Sequence, residues 1–224
     1  MAKRKRKKFS ELNTFSNVLQ MPYYELWNKD YELKGKWAKE IFGNNNPIVL
    51  ELGCGKAEYT LALARINPNI NYIGIDIKGE RLWRGAKTAL NENLKNVFFV
   101  RAKIDFLDKL FAQKEVKEIW LTFPDPQPTK RREKKRLTSP RFLDMYKIIL
   151  TKDNFVNLKT DSTLLYEYTL EVLKERGEKV YIKTSDVYKD FPDDNVLGIK
   201  TFYEQMFLDE GKSIKYIKFR ILKD

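Results

Sequence analysis

The sequence predicts an α/β fold on a doubly wound, mostly parallel sheet with an antiparallel C-terminal strand. Three observations predict it. Strand and helix signals alternate from residue 47 to residue 172, the order that sets parallel strands between covering helices. The first strong strand runs into a glycine turn, Leu-Gly-Cys-Gly at 52–55, and the second ends in an acid, Asp76. The final segment, SIKYIKFR at 213–220, alternates with the period of a strand.

The elements follow in order. Residues 1–14 open MAKRKRKKFSELNT, with six consecutive basic residues and no apolar stretch behind them, which excludes a secretory signal. They read as a basic, flexible N-terminal arm able to contact phosphates, ahead of a single domain over 15–224. YYELWNKDYELKGKWAKEIFG at 23–43 reads as a helical lead-in that stops at the turn-rich GNNNP of 43–47. Strands are expected at 47–51, 71–76, 97–100, 118–123 and 154–159, with helices at 59–66, 79–91 and near 105–113 between them. Ser139 and Pro140 suit the cap and first position of a helix over RFLDMYKIIL. Asp161 or Ser162 caps another, whose apolar residues Leu164, Leu165, Tyr168 and Val172 recur at helical spacing. A strand at 180–183 precedes the last one.

Composition narrows the function. The chain carries 43 basic against 31 acidic residues, a formal +12, which favours a polyanion such as RNA or DNA over a lipid surface. No apolar run approaches the roughly 18 residues of a membrane span. There is no histidine, so histidine triads, bases and metal ligands are excluded. Cys54 is the only cysteine and can form neither an internal disulfide nor a zinc cluster. The expectation is a cytoplasmic protein with no metal and no membrane partner.

Ligands of doubly wound sheets bind beyond the carboxyl ends of the strands. There, Gly53 and Gly55 allow a tight turn and close backbone approach. A dinucleotide site would need a third glycine at 58, where Glu58 stands, and no Gly-Lys-Ser/Thr follows for a nucleotide triphosphate. Asp76 is placed to accept two ribose hydroxyls, and Glu51 to face a cation. A positively charged nucleoside without phosphate fits, and S-adenosylmethionine is the expected cofactor. Asp105, after the third strand, is a candidate for the adenine side. The fourth strand leads into TFPDPQPTKRREKKR at 122–136, where Pro124, Pro126 and Pro128 stiffen the loop that carries Asp125. Asp125 is the candidate catalytic acid: transfer to an aromatic nitrogen with a free lone pair, such as guanine N7, needs no strong base, and a fixed carboxylate stabilises the cation that develops. The basic run from Lys130 to Arg136 would bring phosphates to this edge.

With ELGCGK, IGID, LKTD at 158–161 and TFYE at 201–204, this stretch resembles the bacterial tRNA (guanine-N7)-methyltransferase family over roughly residues 15–220. The resemblance implies a Rossmann-like class I methyltransferase fold, S-adenosylmethionine as donor, and the variable-loop guanine of tRNA, position 46, as acceptor. It places the family's cofactor acids on Glu51 and Asp76, its essential aspartate, which belongs to both the cofactor and the catalytic site, on Asp125, and substrate contacts on Lys130, Asp161, Thr201 and Glu204. The chain departs from the pattern at Lys103, where an acid is usual, and at Gln127, Thr129 and Glu133. A methyltransferase of another RNA or protein, or a catalytically silent RNA-binding relative, are the alternatives. Monomer and homodimer are both compatible with the sequence.

Overall fold

The computed structural model describes residues 2–222 of the chain, with side chains from Lys7 onward except that of Tyr23. Met1 of the expected arm, the Lys3 to Arg6 side chains, and Lys223 and Asp224 at the end of the expected domain lie outside the described residues. One sheet is built from β1 (Val18–Gln20), β2 (Ile48–Leu52), β3 (Asn71–Ile75), β4 (Val97–Arg101), β5 (Val116–Thr122), β6 (Leu150–Thr160), β7 (Lys179–Thr184) and β8 (Lys215–Arg220). Their order is β1-β4-β3-β2-β5-β6-β8-β7. β1 through β6 run parallel, while β8 is antiparallel to both β6 and β7. The winding reverses between β2 and β5, which opens a crevice at their carboxyl ends.

Parallel strands covered on both faces are mostly apolar, and every position of β2 and β3 is buried, the polar Glu51 and Asn71 near their ends included. One face packs Val49, Tyr72, Phe99 and Trp120 under α1 (Ala2–Leu12), α2 (Glu58–Ile66), α3 (Gly79–Asn91), α7 (Val187–Asp190) and α8 (Phe202–Asp209). The opposite face packs Leu50, Ile73, Ile119 and Val156 under α4 (Leu107–Leu110), α5 (Pro140–Ile149) and α6 (Thr163–Glu175). Among the described residues, no helix is long and apolar enough to cross a membrane.

Three segments differ from expectation. The basic arm is helical: Phe9 and Leu12 sit one turn apart, Leu12 is buried, and Glu11 pairs with Lys87 of α3 at 3.0 Å. The charge pattern shows a solvated run, whereas the short apolar stripe that docks it on α3 is easily overlooked. The lead-in at 23–43 keeps only a 3₁₀ turn at Tyr23–Glu25 and one π-helical turn at Trp37–Ile41. Tertiary bonds replace the helix there: the Glu115 carboxylate accepts the amides of Gly35 and Trp37, and the Trp37 indole N–H donates to the Leu110 carbonyl at 2.7 Å. The edge strand β1 spans three residues, too few for a periodic signal, and exists through its pairing with β4.

Candidate active site

The chain leaves β2 through Gly53 and Gly55, at φ of +77° and +57°, where a side chain would be strained. The Gly53 and Cys54 amides donate back to the Ile75 carbonyl, and the Gly55 amide donates to Asp76 Oδ2 at 2.8 Å. Asp76 Oδ1 accepts the Lys78 amide at 2.7 Å. The carboxylate is thereby oriented, and each oxygen keeps a lone pair for a hydroxyl donor. Helix α3 comes close because Gly85 has no Cβ; one there would lie 2.6 Å from the Ala57 Cβ.

Glu51 ends its strand inside the protein, 4 % exposed. Its Oε2 accepts the Thr60 amide at 2.8 Å and the Thr60 hydroxyl, and its Oε1 accepts the Thr122 hydroxyl from β5. Burial pushes its carboxyl up to about 7, although these three donors pull the other way. No lysine or arginine pairs with it among the described residues. A buried carboxylate held by neutral donors and facing a cavity is a fitting site for a cationic ligand. That cavity is lined by Glu51, Gly53, Gly55, Thr122, Thr201 and Tyr203, among others.

The loop after β5 carries Asp125 into solvent. Asp125 Oδ1 accepts the Gln127 amide at 3.0 Å, while Oδ2 takes no hydrogen bond among the described residues. Phe123 and Gln127 sit at φ of 49° and 45°, unusual for residues with a side chain. Arg136 holds this shape. It is 4 % exposed, donates to the carbonyls of Pro126 (3.0 Å) and Gln127 (3.1 Å), and stacks over the Tyr168 ring at 4.2 Å. Arg136 therefore leaves the phosphate-binding run in which the sequence reading had placed it. Proline restricts the loop locally, and a buried guanidinium fixes it globally.

Helix α8 closes the other side. Thr201 caps it in a reciprocal box with Glu204, and its first amide, that of Phe202, donates to Glu58 of α2 at 2.7 Å. Glu204 is wholly buried: its Oε1 lies 2.6 Å from Lys159 Nζ and accepts the Tyr188 hydroxyl at 2.7 Å. Burial pulls the Lys159 ammonium below the usual lysine range, against the opposing pull of Glu204. The Glu204 carboxylate expected to contact substrate is thus engaged inside the protein by Lys159 and Tyr188, and the capping box ties it to Thr201.

Residues 45–217 match a family model described as "Putative methyltransferase". The chain is 51 % identical over 98 % of its length, and 99 % of the relative's, to the tRNA (guanine-N(7)-)-methyltransferase of Christiangramia forsetii. It is 48 % identical to that of Bacteroides fragilis, over 98 % of this chain and 86 % of the relative. The chain belongs to the tRNA (guanine-N(7)-)-methyltransferase family. In fold, a SAM-dependent methyltransferase from Aquifex aeolicus superposes with a TM-score of 0.56 at 14 % identity, covering 90 % of this chain and all (100 %) of that one.

In this methyltransferase, Glu51, Gly53, Gly55 and Thr201 share one cavity, Asp76 is bonded to it through Gly55, and Asp125 stands on the loop that continues from Thr122 and Phe123 in its wall. Asp105 is not gathered there. It is ion-paired with Arg141 of α5, both half exposed, so the cofactor role expected of it loses its geometric support. Asp161 lies at the end of β6, half-buried, with its Oδ2 3.9 Å from Lys212 Nζ; Ser162, not Asp161, caps α6. Lys130 begins an exposed 3₁₀ segment, Lys130–Lys135. Sequence reasoning missed Thr60, Thr122, Arg136 and Lys159, which hold the candidate residues in place. β6 reads LTKDNFVNLKT, so polar residues recur along it and nothing in the sequence singles out Lys159 as the buried one.

Proposed function

We propose that this chain transfers a methyl group from S-adenosylmethionine to N7 of the variable-loop guanine of tRNA, position 46, in the cytoplasm. The observation that carries the reading is a pair of carboxylates on adjacent strand ends: Glu51, buried with no cation against it among the described residues, and Asp125, exposed on a rigid loop. Bound at the cavity, the cofactor supplies an electrophilic methyl group. Glu51 faces its positive charge, Asp76 accepts ribose hydroxyls, and the Gly53–Gly55 turn admits it at backbone distance. Asp125 Oδ2 accepts hydrogen bonds from the guanine N1–H and amino group, and so turns N7 to the reacting side. It also stabilises the positive charge that grows on the ring. N7 carries a lone pair and loses no proton, so a chain without histidine lacks nothing the reaction requires. Thr201, in the cavity wall, and Asp161 and Lys130 are the contacts this reading assigns to the tRNA, and the exposed Lys130–Lys135 segment attracts phosphates.

Incubation of unmodified tRNA with labelled cofactor, followed by borohydride-aniline cleavage, should give one scission in the variable loop. Label without that scission would assign the methyl group to another atom or another RNA, and no label at all would leave a silent relative.

Glu51 makes cofactor binding depend on pH. A carboxyl whose folded pKa lies above its unfolded value stabilises the empty protein fully below pH 4.5, and that contribution is lost as the pH rises to about 7. A bound cation reverses the preference, because it needs the ionised form. Affinity for S-adenosylmethionine should rise by about an order of magnitude between pH 5.5 and 7, with a proton released on binding. Calorimetry in two buffers of different ionisation enthalpy measures both; a flat profile without proton release would remove Glu51 from contact with the ligand.

A further inference from the structure

We propose that the groove between α2, α3 and the start of α8 is a second docking surface for the tRNA backbone; this rests on the function proposed above. The groove shares Lys56, Glu58 and Thr201 with the candidate cofactor cavity and continues from its mouth between the two helices past Arg65 and Arg84, with Lys200 on the α8 side. Its floor includes Leu61 and Ala62. Four cations line it against one acid, Glu58, whose carboxylate already accepts the Phe202 amide. Arg65 is engaged by Glu92 outside the groove at 2.8 Å. Arg84 and Lys200 are exposed, and neither pairs with a carboxylate among the described residues. Lys56 Nζ rests 4.1 Å above the ring of Phe202, itself 53 % exposed, an aromatic and a cation side by side at the mouth of the cavity.

The position of this surface gives it a use that the Lys130–Lys135 run lacks. That run belongs to the α5 and α6 side, where Ser139 Oγ donates to the Lys134 carbonyl and Arg136 stacks on Tyr168. The groove belongs to the α2 and α3 side, on the opposite face of the sheet. A base that reaches the crevice between β2 and β5 has chain on both sides of it, and an enzyme acting on such a base must hold the backbone on both flanks. An open, cationic, elongated groove running away from the catalytic cavity is complementary to a chain of phosphates. Arg84 and Lys200 supply the charge, and Phe202 offers a face on which an unpaired base can stack.

The test compares Arg84→Glu/Lys200→Glu and the neutral Arg84→Gln/Lys200→Gln with the unaltered chain. It reads tRNA affinity at several salt concentrations, and S-adenosylmethionine binding by calorimetry. The reversal should weaken tRNA binding by about tenfold or more, and both pairs should lower the slope of log affinity against log salt by about one to two, with cofactor binding unchanged. Unchanged tRNA affinity and slope in both variants overturn the proposal. So does a loss of cofactor binding equal to the loss of tRNA binding, which would make the two residues structural. If the unaltered chain fails to methylate tRNA, the functional reading falls and takes the groove with it. If it does methylate tRNA and both variants match it, the groove alone falls.

Discussion

Asp125→Ala should slow methyl transfer by about 10²–10³-fold at saturating substrates, the usual cost of removing a group aimed at developing charge. The loop itself should survive the change. Its shape depends on Arg136 donating to the Pro126 and Gln127 carbonyls, and Asp125 contributes only the bond from its Oδ1 to the Gln127 amide. Asp125→Asn separates the two contributions. An asparagine oxygen can keep the bond to Gln127 while the charge and one acceptor for the guanine edge are lost. If the charge acts on the reaction, Asn should remain within about tenfold of Ala, and single-turnover rates should fall while S-adenosylmethionine affinity changes little. Recovery of the full rate by Asn would mean that Asp125 serves as a turn residue.

Lys159→Met should destabilise the protein by about 3–5 kcal/mol, because it leaves the Glu204 carboxylate buried without its cation. Neither side chain is exposed, so solvent cannot replace the lost partner. The Tyr188 hydroxyl is the main remaining donor to that carboxylate, apart from the longer bond from the Thr201 amide at 3.4 Å. The double variant Lys159→Met/Glu204→Leu should regain only part of the loss: the buried carboxylate's desolvation cost disappears, while the Leu197 and Ile199 carbonyls still lose the ammonium as donor. Denaturant unfolding of the two single variants and the double one gives the coupling. A loss below about 1 kcal/mol in Lys159→Met would show that water reaches the pair, and that the start of α8 is anchored mainly by the Glu58 bond to Phe202.

The sequence by itself determined the architecture and the ends of the strands where ligands gather. Strands of unbroken apolar residues must be covered on both sides, and glycines followed by an acid some twenty residues later mark a nucleoside-binding turn. These are local patterns, and Gly53, Gly55, Asp76 and Asp125 lie at strand ends in the structure as read. What only the tertiary structure decided is which polar residues face a ligand and which serve the fold. Glu51 and Glu204 are both glutamates near the cavity, yet one is held by threonine donors without a cation while the other is neutralised by a lysine from β6. Arg136 and Lys130 belong to one basic run, yet one is buried under the Asp125 loop and the other is in solvent. Asp105 and Asp76 both follow parallel strands, yet an arginine from α5 engages the first. Each distinction depends on a partner more than thirty residues away from at least one member of the pair, or on burial set by packing. A charge's role depends on the dielectric and the counter-charge around it, and no local stretch of sequence contains either.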